Sequence, residues 1–385
     1  MPIVSYKTEI KPNDNQKELI KRTIGVCRFI YNFYISHNIE NYKINKTFIS
    51  AYEFSKWLNN EYLPSNPEMS WIKEVSTKAV KQSILNAETA FKKFFDKKTN
   101  FPSFKKRKDS DVKMYFMRGD SKHIIQRERH KIKIPTLGWV RLKEKGYIPT
   151  DSKNYIIISG TVSIRADRFY VSVNVEQREN EIIQNSGEGI GIDLGVKTFV
   201  TLSNGKTFSN INKTKKIRHI QKQIKREQRS FSRKLKNKVN NDYSHNLYKQ
   251  RIKIAKIYQR ISNIRTDYIN KCVSEIAKTK PQYVIIENLN VKGMMKNRHL
   301  SKAISEQCFY TFKERLVSKG KMNGFEVRVA DRFFPSSKMC YRCGAIKTDL
   351  KLSDRWYKCD CGYENDRDYN ASLNLRDLKI YKIAT

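Results

Sequence analysis

Acidic residues are scarce in this chain. Its 385 residues carry 77 lysines and arginines against 38 aspartates and glutamates, a formal charge of +39, and the excess runs through most of the sequence. A surplus of that size repels itself unless a polyanion neutralises it. It excludes the neutral surface of an ordinary metabolic enzyme and points to nucleic acid, whose phosphates release counterions when such a surface binds. Long apolar runs are absent too. No stretch approaches the ~20 residues that cross a bilayer, and none joins a clean basic amphipathic face to low polarity. MPIVSYKTEIKP lacks the basic-then-apolar plan of a secretory leader, so an intracellular protein without a membrane partner is expected. Internal repeats and low-complexity tracts are missing, so the length is read as two or three domains, with 39% hydrophobic residues to build their cores. Histidines number six and none lies near the C-terminal cysteines.

What is present changes period along the chain. Ile3-Val4-Ser5-Tyr6-Lys7 alternates and reads as a short strand. From about Asn15, residues Leu19, Ile20, Ile24, Cys27, Phe29, Ile30 and Phe33 recur at helical spacing. Thr77 to Phe95 repeats the pattern, with Val80, Ile84, Ala87, Phe91 and Phe94 on one face, and FDKKTNFPSFKKRKD closes this basic helical stretch. After Lys108 strands take over. HKIKIPTLGWVRLKE reads as two short strands broken at Pro135 and Gly138. NYIIISGTVSIRADRFYVSVNVEQ reads as a hairpin turning at Ala166-Asp167-Arg168, with Phe169, Val171, Val173 and Val175 on one face. Short punctuated strands favour a small barrel, into which the first strand could pair across the helical insertion.

QRENEIIQNSGEG is a polar linker and places a boundary near Gly187. GIGIDLGVKTFVTLSNGKTFSN follows, with Asn204-Gly205 as its hairpin turn. Residues 211–280 read as long basic helices, set to lie along a nucleic-acid backbone. PQYVIIENLN and GFEVRVADRFF are further strands.

Seven cysteines is an odd number, and four crowd into the last fifty residues, which suggests a metal site and not a disulfide framework. Cys340-x-x-Cys343 and Cys359-x-Cys361 supply two close pairs of thiolates, the donor set of a tetrahedral structural zinc site. The second pair is one residue tighter than usual. Gly344 and Gly362 let the backbone bend so that amides approach the sulfurs. Cys27, Cys272 and Cys308 read as small buried hydrophobes.

Three acids sit where strands or strand-helix turns end: Asp193 in GIGIDLG, Glu287 closing YVIIEN, and Asp368 in DRDYNASLNL. Carboxylates brought together at a sheet edge can hold the two Mg²⁺ ions of phosphodiester hydrolysis. Each acid alone also has a plainer role. Asp193 could sit in a turn, Glu287 could pair with a lysine, and Asp366 and Asp368 could cap a helix Tyr369–Leu378 with help from Asn370. Asp193 and Glu287 gain weight because each ends an apolar, β-branched run, where a charge must be paired or face a functional edge.

GIDLGVKTFVTLSNG, IIENLN, and SSKMCYRCG followed by CDCGYENDRDYNASLNL resemble the three RuvC motifs and the zinc ribbon of TnpB proteins of the transposon-associated OrfB family, relatives of type V CRISPR effectors. KTEIKPNDNQKELIKRTIGVCRFIYNFYISHN and FKKFFDKKTNFPSFKKRK resemble that family as well, so the likeness spans the chain. It implies an α/β multidomain protein. An RNase H-like (RuvC) nuclease domain is expected over 187–385, with a zinc ribbon inserted at about 336–364. Before it come a small β-barrel (wedge) domain over 1–14 and 109–186 and a helical recognition insertion over 15–108. The implied activity is RNA-guided DNA cleavage. Asp193, Glu287 and Asp368 would be catalytic and hold two Mg²⁺, and Asp366 would support them from behind. Cys340, Cys343, Cys359 and Cys361 would hold one Zn²⁺. The implied partners are a guide RNA from the transposon end and double-stranded target DNA with a short flanking motif. A cytoplasmic, nucleoid-associated prokaryotic monomer on one RNA is expected. No motif singles out the residues that touch nucleic acid. Two other classes remain: an RNA-guided repressor, disfavoured because all three acids are present, and a strand-joining transposase, disfavoured by the large N-terminal region.

Overall fold

The computed structural model of the chain describes residues 3–107, 112–119, 125–178, 184–236, 245–351 and 354–384. The end of the basic loop at 108–111, part of the polar linker at 179–183 and the middle of the basic helical stretch at 237–244 lie outside the described residues. The chain divides into two compact units, Met1–Asn180 and Glu181–Thr385.

The first unit begins with β1 (Ile3–Lys11) and a 32-residue helix, Asp14–Asn45. A capping box starts the helix: Asn13 Oδ1 accepts from the Gln16 amide and Gln16 Oε1 from the Asn13 amide, satisfying amides a helix start leaves open. Tyr34, Phe54 and Phe91 close an aromatic core between this helix, Ala51–Trp57 and Thr77–Phe95. The strands are β2 (Met114–Met117), β3 (Arg127–Glu128), β4 (Lys131–Ile134), β5 (Gly138–Leu142), β6 (Tyr155–Arg165) and β7 (Arg168–Gln177). They form one antiparallel sheet in the order β2-β6-β7-β1-β5-β4-β3. β1 pairs with β7 from Ile3↔Glu176 to Ile10↔Phe169 and with β5 at Ile10↔Leu142, so the first strand does join the sheet across the helical insertion. The β6–β7 turn runs through Ala166 and Asp167 at φ 50° and 60°, the handedness a two-residue hairpin demands. Phe169, Val171, Val173 and Val175 are buried, as their alternation requires.

The second unit holds β8 (Ile190–Leu194), β9 (Thr198–Leu202), β10 (Thr207–Ser209), β11 (Tyr283–Ile286), β12 (Glu326–Ala330), β13 (Trp356–Lys358), β14 (Glu364–Asp366) and β15 (Tyr381–Ile383). Six of them form a mixed sheet in the order β10-β9-β8-β11-β12-β15. β8, β11 and β12 are mutually parallel, and β9, β10 and β15 run against their neighbours. Alternation splits the central strands between two faces. Ile190, Ile192, Val284, Ile286, Val327 and Val329 pack against helices His245–Lys278 and Phe309–Asn323, through Ile269, Val273, Ile276, Phe312 and Leu316. Ile285 and Ala330 turn the other way, onto Leu375 of the helix Arg367–Arg376. β13 and β14 make a separate two-stranded ribbon. Among the described residues no helix is long and apolar enough to cross a membrane.

Two expectations are corrected. Cys27 and Cys272 are buried, and burial pushes both thiols up to about 11, but Cys308 is half-buried. It sits at φ 57° where helix Ser301–Gln307 breaks into Phe309–Asn323, and from that junction it packs against the edge of the core. The last helix spans Arg367–Arg376 and not Tyr369–Leu378, because Asp366 caps it from outside.

Gly191 lets this helix approach the sheet. A Cβ at Gly191 would lie 1.9 Å from the Ser372 carbonyl oxygen and 2.4 Å from the Arg376 nitrogen, both backbone atoms that cannot swing away. Gly191→Ala is therefore expected to cost about 1–3 kcal/mol of stability through overpacking, a fall of at least ~2 °C in the thermal midpoint. An unchanged midpoint would contradict this packing.

Candidate functional site

The register of the second sheet decides where the acids meet. Ile192 of β8 pairs in parallel with Ile286 of β11. The next residues in each strand direction are Asp193 and Glu287, so they stand side by side where two parallel strands end, the usual place for a site in an open α/β sheet. By alternation both belong to the face of Gly191 and Ile285, the one covered by helix Arg367–Arg376. Asp368 lies in the first turn of that helix. The structure thus brings Asp193, Glu287 and Asp368 together from segments some 80 to 95 residues apart.

Burial makes this grouping electrostatically costly. Asp193 is 9% exposed. Burial pushes its carboxyl well above the usual carboxylate range, Glu287 and Asp368 push the same way, and the Arg367 guanidinium opposes them. Glu287 is also raised, first by burial. Hydrogen bonds from the Ser336 hydroxyl and from Asp193 hold it down, Asp368 raises it and Arg367 lowers it. Arg367 Nη2 lies 3.5 Å from Asp368 Oδ1, and Arg355 Nη1 lies 4.0 Å from Asp368 Oδ2. Asp366 also raises Asp193, as the last and smallest of these influences. Its Oδ1 accepts from the amides of Asp368 at 2.9 Å and Tyr369 at 3.0 Å, capping the helix and fixing the turn that carries Asp368.

The four cysteines converge independently. Among the described residues they form the only group of three or more His, Cys, Asp or Glu whose donor atoms all lie within 4.8 Å of one another. The carboxylates spread wider. Cys340 Sγ is 3.7 Å from Cys361 Sγ, and Cys343 Sγ is 3.6 Å from Cys359 Sγ. A tetrahedron with ~2.3 Å metal–sulfur bonds has edges of ~3.8 Å, close to these two distances, so the set could hold one zinc ion. Gly344 and Gly362 take φ 76° and 81° in the two tight turns, and their amides bond back to the Cys340 and Cys359 carbonyls. The Ala345 amide, the largest influence on Cys343, draws its thiol down, while burial raises Cys340, so the metal-free set shares its protons unevenly.

Sequence reasoning missed the parts that join the two groups. Asn370 and Asn374, one turn apart on the last helix, are both buried. Asn374 Nδ2 donates to the carbonyls of Ser336 and Met339, Asn370 Nδ2 donates to the Met339 carbonyl, and Asn370 Oδ1 accepts from the Tyr341 amide. The only signal was asparagines at i and i+4 among the Ala, Ser and Leu of the helix's second half. Tyr357 is fully buried and donates to the carbonyls of Lys338 and Ala345, giving the ribbon a small core.

The raised Asp193 carboxyl means that the folded, metal-free chain keeps a proton that the unfolded chain has released. Its stability therefore declines as pH rises from the ordinary carboxylate range through that raised value. Asp193→Asn removes the buried charge. In a chelator-treated thermal melt it should flatten the decline and raise the midpoint at pH 7–8 by a few degrees, about 2–4 °C for each kcal/mol regained. Identical pH profiles for parent and variant would contradict the clustering of these carboxyls.

Comparison with known proteins agrees with this architecture. A family profile described as "Probable transposase" matches residues 171–298, one described as "Cas12f1-like, TNB domain" matches 309–375, and one described as "Helix-turn-helix domain" matches 1–47. In this chain the last stretch forms a strand and a single long helix. A chain from a cryo-EM structure of a Cas12f1–sgRNA–target DNA complex superposes with TM-score 0.60 at 16% identity, covering 94% of this chain and 82% of that one, a likeness of fold. InsQ of Escherichia coli (strain K12), provisionally named an RNA-guided DNA endonuclease, is 29% identical over 96% of this chain and 91% of its own length. A Streptomyces pristinaespiralis protein with the same provisional name is 30% identical over 96% of this chain and 88% of its own. With that identity sustained across nearly the whole of both chains, this protein belongs to the OrfB family of transposon-associated TnpB proteins.

Proposed function

We propose that this protein is an RNA-guided DNA endonuclease that cuts by divalent-metal-dependent hydrolysis at Asp193, Glu287 and Asp368. The observation that carries the proposal is the convergence of three carboxyls at the ends of β8 and β11, two of them with raised pKa. A buried carboxylate cluster with so little compensating charge is unfavourable by itself and suits a cation of high charge. Hard oxygen donors match Mg²⁺. When bound, a pair of such ions supplies the charge that activates a water and steadies the leaving oxygen of a phosphodiester.

The chain's own residues set the stage. β8 and β11 hold Asp193 and Glu287 in register, and Gly191 lets the last helix approach. Asp366 fixes the turn that presents Asp368. Arg367, beside all three acids, moderates their repulsion. The order β10-β9-β8-β11-β12, with β8, β11 and β12 parallel, supports an RNase H-like assignment for residues 187–385. The cysteine set supports a structural zinc ribbon at about 336–364. We assign the seven-stranded antiparallel sheet to a wedge barrel over 1–14 and 109–186, and the helices within it to a recognition module over 15–108.

The charge of +39 supplies the affinity for polyanions. Base pairing between the guide RNA and one target strand would supply the sequence specificity, the protein holding the heteroduplex by its backbone. The description "Probable transposase" names the competing chemistry. Hydrolysis leaves free ends with no joined products, whereas a transposase joins strands.

The test uses protein purified with its co-purifying RNA and a plasmid carrying the matching target. Asp193→Ala and Glu287→Gln should each slow cutting by at least about 10³-fold, the rate equivalent of several kcal/mol, while target binding persists. Cutting at the parental rate would overturn the assignment, and joined strands would replace it with the transposase reading.

A further inference from the structure

Ser336 belongs neither to the three acids nor to the four cysteines but touches the elements of both. It is buried, it follows Pro335 in the segment leading to Cys340, and it is not itself acidic or a metal donor of the usual kind. Its hydroxyl donates to Glu287 Oε1. Its carbonyl accepts from Asn374 Nδ2 at 2.8 Å, on the helix that carries Asp368. Three residues on, the Met339 carbonyl accepts from the same Asn374 amide at 2.7 Å and from Asn370 at 2.8 Å. Cys340 follows and is 1% exposed. One short segment is therefore pinned to the last helix by two buried asparagines, to Glu287 by a hydroxyl, and to the cysteine set by its own chain direction.

We propose that Ser336 is a positioning residue that fixes the Glu287 carboxylate for divalent-ion binding, with the last helix and the cysteine knuckle as its rigid support. The proposal rests on the reading of Asp193, Glu287 and Asp368 as the metal-holding acids. Glu287 reaches from a strand end by two more methylenes than a backbone register can control. Without Ser336, only the proton held on Asp193 would tie down the Glu287 carboxylate, and ion binding removes that proton, so the carboxylate would rotate just when the cation needs it fixed. A hydroxyl donated to one oxygen selects the orientation and leaves the other oxygen for the cation. Groups that orient a metal-binding carboxylate in this way are worth roughly 10–100-fold in metal affinity. Ser336 suits the task because a hydroxyl is short and uncharged, and its one O–H is given to Glu287 Oε1.

The experiment titrates Mn²⁺ calorimetrically into the protein–RNA complex, and separately measures target cutting across Mg²⁺ concentrations. Ser336→Ala should weaken Mn²⁺ binding about 10–100-fold and raise the Mg²⁺ needed for half-maximal cutting by the same factor. The rate at saturating Mg²⁺ should stay within about threefold of the parent. Ser336→Thr and Ser336→Val are near-isosteric and differ in the hydroxyl. Thr should bind ions more tightly than Val by that same factor, a comparison that survives if Ser336→Ala melts early in chelator. Equal ion affinity for Thr and Val, or a loss of saturating rate with no change in ion requirement, would overturn the role of Ser336. If instead Asp193→Ala binds Mn²⁺ and cuts like the parent, the acidic-site reading itself fails.

Discussion

The second unit is organised around a repulsion. Two carboxyls stand next to each other at the ends of adjacent parallel strands, a third arrives on a helix laid over the same face, and burial removes the water that would screen them. Such an arrangement lowers the stability of the empty protein. It persists because strong packing around it overrules it: apolar residues of β8, β11 and β12 against two helices on one side, and a glycine-permitted contact with the last helix on the other. Strain stored at a rim by a rigid scaffold is what a preorganised cation site requires.

The cysteine set bears on the same rim from a distance. Its sulfurs are spaced for one tetrahedral ion, and its ribbon has little core beyond Tyr357, so a metal would supply much of the ribbon's folding free energy. The asparagines of the last helix grip the approach to Cys340, so order in the ribbon is shared with the turn presenting Asp368. Buried asparagine amides on the helix that carries Asp368 thus hold the backbone leading to Cys340.

Much of this was legible in the residues. Alternation gave the β6–β7 hairpin, helical spacing gave the long first helix and Thr77–Phe95, and an acid ending an apolar run marked Asp193 and Glu287. The paired cysteines needed only spacing. What could not be read was register. Nothing local says that Ile192 pairs with Ile286, since the partner of a strand is chosen by a core assembled across some ninety intervening residues. Gly191 looked like an ordinary strand glycine, and its role depends on a helix nearly 180 residues later. Ser336, Asn370 and Asn374 are small polar residues whose function comes from what they touch. Cys308 packs against the core as expected but only half-buried, because composition does not show that it falls at a helix junction. The Asp366 cap was foreseen as one of its two roles, and the hydrogen bonds from Asp368 and Tyr369 show it as the cap.

The central claim is that Asp193, Glu287 and Asp368 jointly hold divalent ions. Anomalous scattering from a crystal of the protein soaked in Mn²⁺ tests it most directly. The account predicts two peaks within coordinating distance of these three carboxylates, about 3.5–4 Å apart. A crystal that takes up Mn²⁺ elsewhere and shows no peak at this rim would contradict it.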